Sequence, residues 1–337
     1  MTFHFLGAPG KAASFFRRML RYDVYGWARE MPKSKRLITS AAVLLQGYAI
    51  YCLWARSLVW PVIWPKGLLF YFCVLLIYTI GYCVMNAMLT SEFVRKTQLE
   101  SDQTGARQIQ QTLIPQKTPE LPGYDVETYY EPFRDVGGDY FDVIALPRDR
   151  TLFAIADVSG KGMAAALLAA NIQALVRIVA STDGDPLAVA RQINAHLCRY
   201  TPDDRFATAV FMLLNHVSGE LVYVNAGHNA PLVLSSGATT FLQATGPPLG
   251  LLNDAKYETG TSIINPGGSL LLFTDGLTDA IPGNRPEDCL SKALANDSAS
   301  AVSSLKSLID PKSHEDDITM LVVNRAPLPA TRPASRS

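Results

Sequence analysis

Residues 119–325 predict an α+β domain of antiparallel sheets covered by helices, and two observations carry that prediction. Ten short strand-like runs follow Pro122-Gly123, several joined by brief, turn-rich connections such as Asn215-His-Val-Ser-Gly219 and Ser235-Ser-Gly237. Two longer helical stretches, 163–180 and 186–200, are inserted into that series. A third observation concerns the front of the chain, where two uncharged stretches predict a two-helix transmembrane segment ahead of the domain.

In chain order, residues 1–36 form a basic arm. Its stretch from Phe15 to Trp27 mixes aromatic residues with Arg17, Arg18 and Arg21, which suits either a helix lying on an anionic leaflet or a solvated arm. Residues 37–54 and 67–89 carry no charge, and each is long enough to span roughly 30 Å of hydrocarbon. Between them, Trp60-Pro61 and Trp64-Pro65 suit a short loop at the bilayer interface. Lys33, Lys35 and Arg36 precede the first span, and Arg95 and Lys96 follow the second. By the positive-inside rule both ends are cytoplasmic, so 37–89 is expected to be a hairpin in a cytoplasmic membrane. Two buried helices of a soluble protein are the alternative.

Residues 90–118 read as a linker helix, with Ala106, Ile109 and Leu113 on one face and Pro115 closing it. It could pass a signal to the domain or serve as a passive spacer. Strands are expected near 124–130, 140–145, 151–156, 206–214, 220–225, 231–234, 239–243, 257–264, 269–274 and 318–323. The helix at 163–180 is almost continuously apolar and so expected to be buried. The helix at 186–200 has Asp185 as N-cap and Pro186 at its first position, and buries Ala190, Ile193 and Leu197. Two more helices are expected near 286–294 and 299–310. The tail, 326–337, is rich in Pro, Ala, Arg and Ser and is expected to be disordered.

The formal net charge of zero conceals an asymmetry. Residues 1–100 hold 12 Lys/Arg against 4 Asp/Glu, and the remainder holds 18 against 26. A basic apolar front and an acidic back fit a membrane segment followed by a cytoplasmic domain, and argue against nucleic acid as a partner. The five cysteines include no Cys-x-x-Cys pair, which argues against a disulfide framework or a zinc site.

Four carboxylates stand where an apolar run meets a Gly-rich or acidic turn: Asp139 after Gly137-Gly138, Asp157 before Val158-Ser-Gly-Lys-Gly162, Asp275 before Gly276, and Asp316 ahead of the last strand. Strand ends can aim side chains at one shared site. Converging carboxylates with too few basic partners repel one another unless hard cations neutralise them, and an all-oxygen donor set selects Mg²⁺ or Mn²⁺. Asp157 is expected to bridge two such ions, because its turn also offers the Val158 carbonyl. Any one of these motifs alone is common in turns.

Together the motifs resemble the PPM-type metal-dependent serine/threonine phosphatases, in the bacterial SpoIIE/RsbU branch. The matching stretches run in family order: Ala106-Arg-Gln-Ile-Gln-Gln-Thr-Leu-Ile-Pro115, Pro122-Gly-Tyr124, Phe133-Arg-Asp-Val-Gly-Gly-Asp-Tyr-Phe-Asp142, Asp157-Val-Ser-Gly-Lys-Gly162, Asn225-Ala-Gly-His-Asn229, Gly246-Pro-Pro-Leu-Gly250, Phe273-Thr-Asp-Gly276 and Asp316-Asp-Ile-Thr319. The resemblance implies an αββα sandwich of two antiparallel sheets flanked by helices, with a centre of two Mn²⁺ or Mg²⁺ at one end. By motif it makes Asp139, Asp157, Asp275 and Asp316 the carboxylate ligands, with Val158 giving a carbonyl. It implies a phosphoserine or phosphothreonine substrate on a partner protein, for example a STAS-type anti-sigma-factor antagonist. It also implies homodimerisation through the linker helix and movement of the two helices after Asp157.

Ser159 departs from the wider family, which places a proposed general-acid histidine there. His228 and His314 are candidates for that role by proximity to motifs, against the simpler reading of turn histidines making structural hydrogen bonds. Arg134 suits contact with a phosphate, or an ion pair with a neighbour such as Asp135. Asn225 and Asn229 read as fixing a turn, and Lys161 as a solvated turn residue. Two other functions compete: a signalling scaffold that binds a partner through the same domain with little turnover, and a metal-dependent phosphodiesterase acting on nucleotides, for which no base-stacking motif is present.

Overall fold

The computed structural model describes residues 48, 51–52, 65–115, 117–181, 184–202, 204–283, 285–295, 300–310, 313 and 315–327. The N-terminal arm, most of the first expected span, most of the tail and His314 lie outside the described residues. The chain divides into two units, Met1–Leu99 and Glu100–Ser337.

Helix α1, Pro65–Leu113, is one continuous element of 49 residues. The second expected span and the linker are therefore a single helix, because no proline interrupts the stretch between Pro65 and Pro115. Its segment Phe72–Gln98 is long and apolar enough to cross a membrane. Polar side chains in this stretch bond back to their own helix: Thr79 Oγ1 donates to the Leu75 carbonyl at 2.8 Å, Asn86 Nδ2 to Tyr82 at 3.0 Å and Thr90 Oγ1 to Asn86 at 2.7 Å. Such internal satisfaction lowers the cost of placing a hydroxyl or amide in hydrocarbon.

The second unit contains all ten expected strands. They are β1 (Tyr124–Glu131), β2 (Tyr140–Leu146), β3 (Arg150–Val158), β4 (Ala207–Asn215), β5 (Glu220–Ala226), β6 (Leu232–Ser235), β7 (Ala238–Phe241), β8 (Gly260–Ile263), β9 (Ser269–Phe273) and β10 (Ile318–Arg325). One sheet has the order β1-β10-β9-β6-β7 and the other β2-β3-β4-β5-β8, and every strand pairing is antiparallel. Strand β8 is shorter than expected, since Tyr257 leaves the ladder and is buried under the helices that cover the second sheet.

Period-two alternation builds the layers. On β3, Phe153 and Ile155 face the other sheet, while Leu152, Ala154 and Ala156 face helices α2 (Met163–Ala180) and α3 (Pro186–Tyr200). On β10, Leu321 and Val323 enter the inter-sheet core, while Met320 and Val322 turn outward. There they meet the short helices α4 (Asp275–Asp279), α5 (Pro286–Ala295) and α6 (Ala301–Lys306). The result is the four-layer αββα sandwich. Helix α3 starts where its cap predicts, with the Asp185 carboxylate accepting from the Leu187 and Ala188 amides. Helix α4 was not expected, and it begins at Asp275 itself.

Candidate active site

Strand register brings the predicted carboxylates to one end of the sandwich. In the second sheet Tyr140 pairs with Ala156, so Asp139 precedes β2 at the edge where Asp157 closes β3. In the first sheet Met320 pairs with Phe273, so Asp316 and Asp317 enter β10 beside Asp275. Hydrogen bonds then join the two sheet ends. Thr274 Oγ1 and Thr319 Oγ1 donate to Asp139 Oδ2 at 2.8 and 2.5 Å. Asp317 accepts from the Phe133 amide at 2.8 Å and the Gly138 amide at 2.6 Å.

This division of labour separates the adjacent carboxylates. Both oxygens of Asp317 hold the loop that carries Asp139, whereas the Asp316 carboxylate meets Lys161 Nζ at 2.8 Å. Lys161 also donates to the Glu315 carbonyl at 2.8 Å and lies over the Phe133 ring. It is thus solvent-exposed, as the sequence suggested for a turn residue, and also engaged with the cluster.

The electrostatics record the crowding. Burial first, then the charges of Asp275, Asp316 and Asp317, push the Asp157 carboxyl up to about 7. Asp275 is raised by burial and by Asp279 and Asp316. Asp139 is raised well above the carboxylate range by burial and by Asp157, although the two threonine hydroxyls oppose that. Among the described residues, however, no three His, Cys, Asp or Glu side chains stand close enough together to hold a metal ion as they are placed.

The turn after Asp157 is braced rather than open. Ser159 Oγ accepts from the Phe206 amide at 3.0 Å, and Arg205 donates to the Ser159 carbonyl at 3.1 Å. Gly160 and Gly162 take positive φ, 95° and 79°, which a residue with a Cβ rarely adopts. The Val158 carbonyl lies against Gly138, where a Cβ would come within 3.1 Å of it. Arg134 is exposed, while Asp135 pairs not with it but with Arg107 at 3.8 Å.

His228 is buried behind the site. Its Nδ1 lies 2.7 Å from Thr208 Oγ1, and Thr208 is the cross-strand neighbour of Asp157. Asn225 fixes the turn by accepting from the His228 amide and donating to the His228 and Leu242 carbonyls. The structural reading of this histidine therefore has specific partners. Burial lowers its imidazole from 6.5 to about 4, so it is neutral when folded. Between pH ~6.5 and about 4 the unfolded chain takes up the proton and the folded chain does not. Stability should be fully present above that pH and decline as pH falls towards 4, by up to about 3 kcal/mol. Urea unfolding at pH 7 and 4.5 should show a larger loss for the wild type than for His228→Gln.

The linker end of α1 also reaches the site. Gln110 Nε2 donates to the Gly137 carbonyl at 2.7 Å, and Gln110 Oε1 accepts from the Gly137 amide at 3.1 Å. Gln173 on α2 donates to the Leu113 carbonyl. Ile109, which the sequence placed on an apolar face with Leu113, is 65 % exposed. Gln110→Ala should speed amide exchange at Gly137 and Gly138 relative to the strands beside them.

The comparisons with known proteins agree with this architecture. The profile of the family described as Stage II sporulation protein E (SpoIIE) matches residues 147–326, more than half of the chain. The chain belongs to the SpoIIE family. It is 29 % identical over 257 residues to the protein IcfG of Synechocystis, which covers 65 % of this chain and 40 % of IcfG's own length. It is 28 % identical over 242 residues to the phosphoserine phosphatase RsbU of Bacillus subtilis, covering 68 % of this chain and 71 % of that one. A solved structure of the RsbU and RsbW domains of Rv1364c from Mycobacterium tuberculosis is similar with a TM-score of 0.55 and 26 % identity, over 63 % of this chain and 64 % of that one. The SpoIIE match begins at Pro147, after Asp139, and takes in Asp157, Asp275 and Asp316.

Sequence reasoning missed Thr274, Thr319, Asp317 and Gln110 as site-building residues. The two threonines were findable. Leu270 and Leu272 face the other sheet, as do Leu321 and Val323, so the same alternation carries Thr274 and Thr319 to the end of that inner face.

Proposed function

We propose that this protein is a metal-dependent protein serine/threonine phosphatase, tethered to the bacterial cytoplasmic membrane by a helical hairpin, with its catalytic domain in the cytoplasm. The observation that carries the reading is the gathering of Asp139, Asp157, Asp275 and Asp316 at one end of a SpoIIE-family sandwich. The donor set fits hard divalent cations: it is all oxygen, and burial first, then neighbouring carboxylate charges, raise Asp139, Asp157 and Asp275, with Lys161 in ion-pair contact at Asp316. Asp139, Asp157, Asp275, Asp316 and the Val158 carbonyl would hold two Mn²⁺ or Mg²⁺. Bound there, such ions would supply a nucleophilic hydroxide at neutral pH and charge stabilisation for the phosphoryl group.

The chain's own residues do the remaining work. Thr274 and Thr319 fix the orientation of Asp139, and Asp317 holds the backbone of the loop that carries it. Arg134, whose planar guanidinium suits two phosphoryl oxygens, would contact the phosphate. The substrate is a phosphoserine or phosphothreonine on a partner protein, with STAS-type antagonists of anti-sigma factors as the first candidates. The relative RsbU is named a phosphoserine phosphatase, which supports that choice. Homodimerisation through α1 is part of the same proposal, and Phe72–Gln98 supports the membrane tether.

Full-length protein in lipid nanodiscs should release phosphate from a phosphoserine protein with Mn²⁺ and not with excess chelator. Release that ignores the chelator would overturn the metal-dependent reading. Lys161→Met should tighten Mn²⁺ binding roughly fivefold by calorimetry, because the divalent ion no longer competes with an ammonium for Asp316. Unchanged or weaker binding would mean that Lys161 is not such a competitor.

A further inference from the structure

A cavity of about 420 Å³ opens beside the carboxylate cluster, between the turn after β5 and helices α4 and α5. Its floor includes Phe241, Phe273 and Ile281, its wall carries Asn229 and Thr278, and the exposed carboxylates of Asp279 and Glu287 stand at its edge. It lies one helical turn from the site. Asp275 and Asp279 are i and i+4 on α4, which places their Cβ atoms roughly 6 Å apart. Phe273, in the floor, is two residues before Asp275.

We propose that this cavity receives the side chain of a lysine or arginine flanking the phosphorylated residue of the protein substrate, and so selects substrates with a basic neighbour. The inference rests on the phosphatase reading of the adjacent site. Consecutive residues of an extended peptide are 3.8 Å apart at Cα, so a phosphoserine held over Asp275 leaves a residue one or two positions away above the cavity. The lining matches a long cationic side chain. An aliphatic stem can lie against Phe241, Phe273 and Ile281 while its charged head stays at the wet rim beside Asp279 and Glu287. An acidic neighbour would meet two like charges there. The nearby cation Arg285 is itself paired, with Asp288 at 3.7 Å, and does not line the cavity.

The test uses the full-length protein in nanodiscs with Mn²⁺ and phosphoserine peptides of one length. Each position within three residues of the phosphoserine is occupied in turn by lysine, norleucine or glutamate, and para-nitrophenyl phosphate serves as a substrate with no flanking residue. At one or two positions lysine should raise kcat/KM on the order of tenfold over norleucine, and glutamate should lower it. In the variant carrying Asp279→Asn and Glu287→Gln that ratio should fall close to one. In the variant carrying Asp279→Lys and Glu287→Lys it should reverse in favour of glutamate. Both residues are exposed, so these changes leave the core untouched.

Equal turnover of all peptides by the wild type, or a lysine preference that survives both variants, would overturn the inference while leaving the phosphatase intact. Turnover of para-nitrophenyl phosphate but of no peptide would overturn it too. Turnover of neither would instead remove the phosphatase reading, and this inference with it.

Discussion

Asp275→Asn is expected to abolish metal-dependent phosphate release while leaving the fold as stable as before, or more stable. The two effects have one cause. Asp275 stands at the start of α4 with its carboxyl raised by burial and by the charges of Asp279 and Asp316, so in the metal-free protein its negative charge is a cost. Asparagine keeps the size and one oxygen acceptor but removes that charge. A hydrogen-bonding partner of a metal ligand is commonly worth roughly 10–100-fold in affinity or activity, so loss of a charged ligand should cost on the order of 1000-fold. The thermal shift produced by Mn²⁺ should shrink in parallel, because binding to the native state alone is what raises its apparent stability. A variant that keeps its turnover would remove Asp275 from the metal centre. A variant that is inactive because it is unfolded would show a lowered melting temperature instead of an unchanged or raised one. Loss of turnover also separates an enzyme from a scaffold, whose signalling output should survive the substitution.

The sandwich was legible because short apolar runs follow one another with brief, turn-rich joins. The unbroken apolar runs Leu152-Phe-Ala-Ile-Ala156 and Met320-Leu-Val-Val323 fit strands covered on both faces, and the fold then sends Phe153, Ile155, Leu321 and Val323 to the inter-sheet core and the others to the helices. The candidate site was legible as four positions where strands end, but its internal wiring was not. Asp316 and Asp317 are chemically identical neighbours, and only the fold shows that the second is consumed by the Phe133 and Gly138 amides. Lys161 reads as a turn lysine until the entry to β10 is brought to it across more than 150 residues. The Gln110 contact with Gly137 was hidden for a related reason. An apolar-face search along α1 looks for Ile109 and Leu113, whereas the docking interaction is made by an amide side chain that such a search ignores. Local pattern reports which face is apolar, and long-range polar contacts leave no periodicity to detect.

Gly276→Ala is expected to destabilise the domain strongly, against the usual sign for a helical glycine. In a helix interior, alanine is favoured over glycine by up to about 1 kcal/mol, since it restricts the unfolded chain and costs no strain. Gly276 lies in α4, but a Cβ there would overlap the Asp317 carbonyl oxygen and sit 2.9 Å from the Asp317 carbonyl carbon and 3.3 Å from that of Asp316. These are backbone atoms at the entry to β10, and they cannot swing away as a flexible side chain would. The contact can be relieved only by moving the start of α4 away from β10. That would strain the bond from the Thr274 amide to the Thr319 carbonyl at 3.1 Å and the two threonine bonds that orient Asp139. Overpacking of this kind costs about 3 kcal/mol. It also separates Asp275 from Asp316, so Mn²⁺ affinity should fall with stability. Gly105, two turns before the C-terminal end of α1, supplies the control, because nothing lies within 4 Å of a Cβ built there. Gly105→Ala should leave the melting temperature unchanged or raise it, and Gly276→Ala should lower it by several degrees and weaken Mn²⁺ binding in calorimetry. If both substitutions shift stability in the same favourable direction, the close approach of α4 to the Asp316-Asp317 backbone is not what holds this end of the sandwich together.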